Sequence, residues 1–235
     1  MAAAIPAPGV TTVGEGEIGL RVEHLAKTYP TRRKPIFEDL NFTVARSGRL
    51  ALLGRNGQGK SSLIRILGGV MPASEGQVKW SMSSSWPIGF GGGFQGSLSG
   101  LDNIRFLSRL YDRPYDEVLA RVDDFAELGA ADLRRPVKHF SDGMRARLAF
   151  GLSLAIEFDC YLIDEVVAVG DARFQEKCRT ELFDRRADRA FIMASHDARL
   201  IKAHCDRALV IEDGRGRVFE DVAEALDVYA WLRAA

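Results

Sequence analysis

The run Gly54-Arg55-Asn56-Gly57-Gln58-Gly59-Lys60-Ser61-Ser62 constrains this chain more than any other stretch. It fits the pattern G-x-x-x-x-G-K-[ST]. Before it, Arg49-Leu50-Ala51-Leu52-Leu53 is short and apolar enough for a buried strand. After it, Ser62-Leu63-Ile64-Arg65-Ile66-Leu67 places apolar residues at helical spacing. In a strand–turn–helix of this kind, Gly54, Gly57 and Gly59 let the backbone curl so that successive N–H groups point inward at an anion. The positive end of the helix adds to that field. Lys60 then reaches β- and γ-phosphates, and the Ser61 hydroxyl ligates Mg²⁺. The stretch predicts a nucleoside triphosphate as ligand.

With 235 residues, the chain is long enough for one large α/β domain with an inserted subdomain. Lys+Arg and Asp+Glu both number 32, so charge gives no argument for a nucleic-acid partner. No apolar run reaches the ~18 residues of a membrane span, since Glu157 and Asp159 interrupt Leu148 to Ile163. The N-terminus lacks the basic-then-apolar order of a signal peptide. Cys160, Cys178 and Cys205 lie far apart, without metal-like spacing, and read as reduced thiols in a cytosolic protein.

Residues 1–17 are expected to form a flexible lead-in to a domain over 18–235. Ile18 to Leu25 and Ile36 to Val44 read as strands, with Tyr29 in the loop between them. Tyr29 either stacks on a base or is a partly buried loop residue. Gly68-Gly69 ends the helix after the phosphate loop, and Gln77 to Trp80 is a short strand. Ser81 to Gly100, rich in Ser and Gly, is expected to be a mobile loop touching the nucleotide site or a partner. Its Gly91-x-Gly93-x-x-Gly96 spells a dinucleotide fingerprint but lacks the strand before and the helix after that such a site needs. Asp102 to about Leu133 turns helical, with apolar Ile104, Phe106, Leu107, Leu110, Val118, Val122, Phe125 and Leu128 and a solvated face of Arg and Asp.

Phe140-Ser141-Asp142-Gly143-Met144 precedes a helix over Arg145 to Ile156, with Ser141 or Asp142 as its N-cap. That start is either a second anion site or a plain cap. Cys160-Tyr161-Leu162-Ile163 is a strand ending in Asp164 and Glu165. A carboxylate at the C-terminal edge of a parallel strand can hold Mg²⁺, and the next one can orient or deprotonate a water. Ala190 to Ala194 is another buried strand, placing His196 on the same sheet edge. Arg207 to Glu212 and Arg217 to Glu220 form a hairpin through Asp213-Gly214, and Val222 to Leu232 closes as a helix.

Taken in order, these motifs resemble the nucleotide-binding subunit of ATP-binding-cassette (ABC) transporters over about residues 18 to 232. The resemblance implies a phosphate-loop NTPase fold of the ABC-ATPase type. Its core sheet would be mostly parallel, with an antiparallel β subdomain and a helical subdomain inserted at about 98–157. Gly54 to Ser61 matches Walker A, Tyr29 the adenine-stacking aromatic, and Phe140 to Met144 the signature. Leu162 to Glu165 matches Walker B with the catalytic glutamate, Ala168-Val169-Gly170-Asp171 the D-loop, and His196 the switch histidine. The signature departs from Leu-Ser-Gly-Gly-Gln at Asp142 and Met144 but keeps Ser141 and Gly143. Aligning Leu98 to Asn103 with the family's downstream pattern puts the Q-loop glutamine near Gly89, with Gln95 as the alternative Mg²⁺ or water contact.

Ser85 to Leu98, with Phe140 to Met144 and Val166 to Asp171, is similar to the ATPases of bacterial capsular-polysaccharide exporters of the ABC-2 type. This implies a homodimer closing around two ATP molecules. Each ATP would lie between the phosphate loop of one copy and Ser141-Gly143 of the other. The partner would be a separate membrane permease at the cytoplasmic face of the inner membrane, and the cargo a polysaccharide. Export of O-antigen or teichoic acid is the neighbouring alternative. A phosphate-loop kinase or soluble NTPase would have no use for the signature. A cassette acting on DNA or the ribosome would need a second cassette or coiled-coil arms, and a basic stripe.

Overall fold

The computed structural model describes residues 17–88, 94–164 and 171–234; nearly all of the expected lead-in lies outside them. Strands β1 (Ile18–Lys27), β2 (Phe37–Ala45) and β4 (Glu75–Trp80) form an antiparallel sheet in the order β2-β1-β4. The second sheet has the order β5-β6-β3-β7-β8, built from β3 (Arg49–Leu53), β5 (Cys160–Asp164), β6 (Ala190–Ala194), β7 (Arg207–Glu212) and β8 (Arg215–Phe219). Its first four strands are parallel. β8 runs antiparallel, returning from β7 through Asp213 (φ 47°) and Gly214 (φ 80°). Two consecutive positive φ values give the hairpin turn whose twist matches its strands.

The parallel strands read as unbroken apolar runs because both faces are buried. Leu50, Leu52, Leu162, Ile192 and Leu209 face the antiparallel sheet and α1 (Lys60–Leu67). Ala51, Leu53, Tyr161, Met193 and Val210 face the other way, into a core shared with the helices. That core joins α2 (Gly100–Leu110), α3 (Tyr115–Ala126), α4 (Ala130–Leu133) and α5 (Asp142–Ala155) to α6 (Ala172–Arg179), α7 (Ala198–His204) and α8 (Val222–Ala234). Among the described residues, no helix is long and apolar enough to cross a membrane.

Three expectations are corrected. Ser81 to Gly100 is not a loop throughout, because Ser83 to Ile88 pairs with β5. Cys160 N donates to Ser83 O (3.0 Å), Ser85 N to Cys160 O (2.9 Å) and Ile88 N to Leu162 O (2.7 Å). Bridges at Ser84–Cys160 and Ile88–Ile163 leave one extra residue on this side, and the Ser85 hydroxyl fills the gap by accepting from Leu162 N at 2.9 Å. A serine side chain standing in for main chain, followed by Trp86-Pro87, hides the strand from any alternation test. The glycine run 89–93 lies outside the described residues.

Second, the helix expected from Arg145 starts at Asp142. Ser141 is its N-cap, its Oγ accepting from Met144 N at 3.2 Å, and Asp142 places a negative charge in the positive first turn. Third, Phe106 and Leu110, read as part of an inward apolar pattern, are 53% and 60% exposed; Ile104 and Leu107 carry the buried face of α2.

Candidate nucleotide site

The site lies where three parallel strands end together. Leu52 on β3 is in register with Ala194 on β6, and Ala194 with Asp164 on β5. Gly54 therefore follows two residues after one member of this row and His196 two residues after another, on the same sheet edge as Asp164. This is the C-terminal edge where ligands of α/β sheets bind.

Gly54, Gly57 and Gly59 all have positive φ (153°, 84° and 98°). At Gly59 a Cβ would stand 2.2 Å from Ile36 Cγ2, and at Gly54 one would stand 2.5 Å from Ile211 O. Both positions thus require glycine for space as well as for torsion. Gly59 is the N-cap of α1 without any side-chain cap, and the first turn holds no acidic residue. The N–H groups and positive end of that turn form an anion seat. Lys60 is only 7% exposed. Its ammonium donates to Gly54 O (2.6 Å) and Arg55 O (3.3 Å), which holds it inside the loop.

Ser61 Oγ donates to Asp164 Oδ1 at 2.9 Å, so residues 103 positions apart in sequence meet. A hydroxyl and a carboxylate are hard oxygen donors that suit Mg²⁺ shared with substrate phosphates. Among the described residues, no group of three or more His, Cys, Asp or Glu side chains could hold a metal by itself. The donor set fits a cation that arrives with a phosphate.

The loop is latched from outside. Arg55 pairs with Glu212 at 2.6 Å. Gln58 Nε2 donates to Glu212 Oε1 (3.3 Å), and Asp213 N donates to Gln58 Oε1 (3.1 Å). The side chains of Arg55 and Gln58 thus hold the β7–β8 hairpin, and their main chain is what they offer a phosphate. Asn56 is exposed at the tip. Tyr29 is half-buried beside α1: its hydroxyl and that of Ser62 hydrogen-bond at 3.1 Å, it also donates to Met71 Sδ (3.3 Å), and Lys27 Nζ lies 5.2 Å from the ring centroid. Its hydroxyl thus reaches the first turn of α1, the helix that follows the phosphate loop.

The other predicted residues divide. Among the described residues, Ser141 bonds within its own helix start, and a Cβ built on Gly143 would meet only Ser141 Oγ, at 4.0 Å; Ser141 is exposed. Asp142 pairs with Arg145. Asp171 caps α6, accepting from Phe174 N at 2.9 Å, and pairs with Arg147 at 3.0 Å. The Phe174 N–H, helped by Arg147, holds its carboxyl below the usual aspartate range. Gln95 is exposed, with its main chain clasped by Asn103 at 2.7 and 3.1 Å; the structure does not bring its side chain into a hydrogen bond with Ser61 or Asp164. His196 Nδ1 lies 2.8 Å from the Tyr229 hydroxyl. Glu165, with Ala168-Val169-Gly170, lies outside the described residues.

Sequence reasoning missed Arg147 and Tyr229. Arg147 also reaches Glu127 (3.4 Å), a carboxylate held low chiefly by Lys177. It therefore ties the helix starting at Ser141 to the one starting after Asp171. Arginine in a helical stretch reads as solvated surface, and no local pattern distinguishes this one.

A latched phosphate loop, a hydroxyl–carboxylate pair and a histidine on one sheet edge define a phosphate-loop nucleoside-triphosphatase cassette. A family model described as ABC transporter matches residues 37–168. The chain is 50% identical over 212 residues to the capsule polysaccharide export ATP-binding protein CtrD of Neisseria meningitidis serogroup B, covering 89% of this chain and 98% of that one. It is 50% identical over 212 residues to the ATP-binding protein BexA of Haemophilus influenzae, covering 89% and 97%. A dimeric post-hydrolysis structure of the ATP-binding cassette MJ0796 with ADP and Pi superposes with a TM-score of 0.71 at 17% identity, over 86% of this chain and 98% of that one. The chain belongs to the ABC transporter family, and the expected cassette fold is borne out.

Proposed function

We propose that this chain is the ATP-hydrolysing subunit of an ABC-2 type exporter of capsular polysaccharide, working as a homodimer on a separate membrane permease at the cytoplasmic face of the inner membrane. The observation that carries the hydrolytic part is the Ser61–Asp164 contact beside a buried Lys60. Half identity to the capsule polysaccharide export protein CtrD, across almost its whole length, supports the cargo.

Lys60 and the first-turn N–H groups of α1 bind the phosphate tail, with Tyr29 beside the base. Mg²⁺, held by Ser61 and Asp164, would neutralise charge developing on the phosphate oxygens. Glu165 orients and deprotonates the attacking water, and His196 donates toward the γ-phosphate. The exposed Ser141 and half-exposed Gly143 at this helix start support a second copy supplying the opposite wall, since first-turn N–H groups and a hydroxyl suit a γ-phosphate. Phe106 and Leu110, four residues apart on α2, are both exposed; outward apolar side chains at this spacing support docking of the permease there.

The test uses cells whose only copy carries Glu165→Gln. Long polysaccharide should vanish from the surface and build up inside, while the purified variant binds ATP, stays dimeric and turns over about 10²–10⁴-fold more slowly. Unchanged surface glycan with the variant protein present would sink the cargo assignment. Normal turnover in vitro would remove Glu165 from its role.

A further inference from the structure

The last helix, α8, buries Val222, Ala225 and Tyr229 on one stripe, in a core shared with Ile201 of α7 and Ala208 and Val210 of β7. Tyr229 is 5% exposed, and the Arg233 guanidinium lies 5.7 Å from its ring centroid. Packing therefore fixes the ring. Its hydroxyl meets His196 Nδ1 at 2.8 Å, across 33 residues of sequence. His196 itself is exposed, two residues past the row that holds Asp164.

A neutral imidazole has one donor and one acceptor nitrogen, and the partner of one nitrogen decides what the other presents. If Nδ1–H donated to the phenol, Nε2 would turn a lone pair toward a polyanion. If the phenol O–H donates to Nδ1, Nε2 carries the proton and faces the phosphate as a donor. The second arrangement matches the electrostatics of the site.

We propose that Tyr229 is a positioning residue for hydrolysis, its hydroxyl donating to His196 Nδ1 and holding the ring as the Nε2–H tautomer aimed at the γ-phosphate. The proposal rests on the reading of His196 as a γ-phosphate contact. It makes α8, a closing element by sequence, part of the scaffold of the hydrolytic site.

The test uses the full chain, labelled with ¹⁵N at its four histidines, with the His196 signals assigned by their loss in His196→Ala. In the wild type at mildly alkaline pH, His196 should show the Nε2–H pattern. Tyr229→Phe keeps the ring and removes only the oxygen. It should give a mixture of tautomers and lower kcat about three- to tenfold, the worth of one neutral hydrogen bond, with KM for ATP within about twofold. On the residual rate of His196→Ala, the same change should cost less than about twofold. An Nδ1–H wild type, or a Tyr229→Phe enzyme with unaltered tautomer and kcat, overturns the proposal. So does an equal loss in the His196→Ala background, which would mark a general packing effect. Full turnover by His196→Ala refutes the underlying reading of His196 and the proposal with it. A crippled His196→Ala beside an unaffected Tyr229→Phe refutes Tyr229 alone.

Discussion

Two helix starts in this molecule offer the same device, a serine hydroxyl among first-turn N–H groups, and they are finished to different degrees. At α1 the strand edge, the β7–β8 hairpin and Asp164 enclose the loop, and Lys60 is buried within it. At α5 the Ser141 hydroxyl bonds only its own helix, and the Asp142 side chain is 94% exposed. One half-site is enclosed within a single chain; the other, in the proposed homodimer, acquires its opposite wall from a second copy. In the proposed homodimer the difference makes affinity and turnover separable, because the residues that seat the phosphates belong to one copy and those that close over them to another.

The largest effect should come from the closed half. Lys60→Ala removes the buried cation and should weaken ATP binding by about 100-fold or more, measured by calorimetry on the monomer. Unaltered affinity would mean that the closed half is not where phosphates sit. Ser141→Ala should leave monomer affinity within about twofold but slow turnover about 10²-fold, the scale of one lost transition-state donor. Its own folding cost, from the missing cap, is about 1 kcal/mol by chemical denaturation. Equal losses in binding and turnover would erase the distinction between the halves. The smallest change is Asp142→Gly, which removes a carboxylate from the open half. ATP-dependent dimerisation of the Glu165→Gln protein, followed by ultracentrifugation, should tighten about two- to fivefold. Weaker dimerisation would show that the Asp142–Arg145 pair assists closure.

The closed half was legible in sequence because its chemistry is local. Nine consecutive residues state the loop, and each neighbouring strand carries its functional residue at or just past its own end. Ser61 from the loop pattern and Asp164 from its strand end are each expected to face Mg²⁺; their direct contact is what the structure adds. What stayed hidden depends on contacts that no window contains. Ser83 to Ile88 completes its pairing through a serine hydroxyl. Arg147 resembles any surface arginine until Asp171 and Glu127 come to it. Tyr229 fits a buried helical stripe and gives no sign of its histidine. The outward turn of Phe106 and Leu110 was missed for a related reason. Apolar spacing predicts that a helix has an inner face, but not that its outer face is also apolar.

The latch from Arg55 and Gln58 to the β7–β8 hairpin has an energetic consequence. A loop already held in its final curve loses little conformational freedom when a triphosphate enters. Induced rearrangement of the seat is therefore a small part of association, and the favourable contacts of the phosphate tail are left almost whole. In the proposed homodimer they remain available to the slower event, the drawing together of two chains. There the rigidity of one loop converts a small-molecule encounter into a force between subunits.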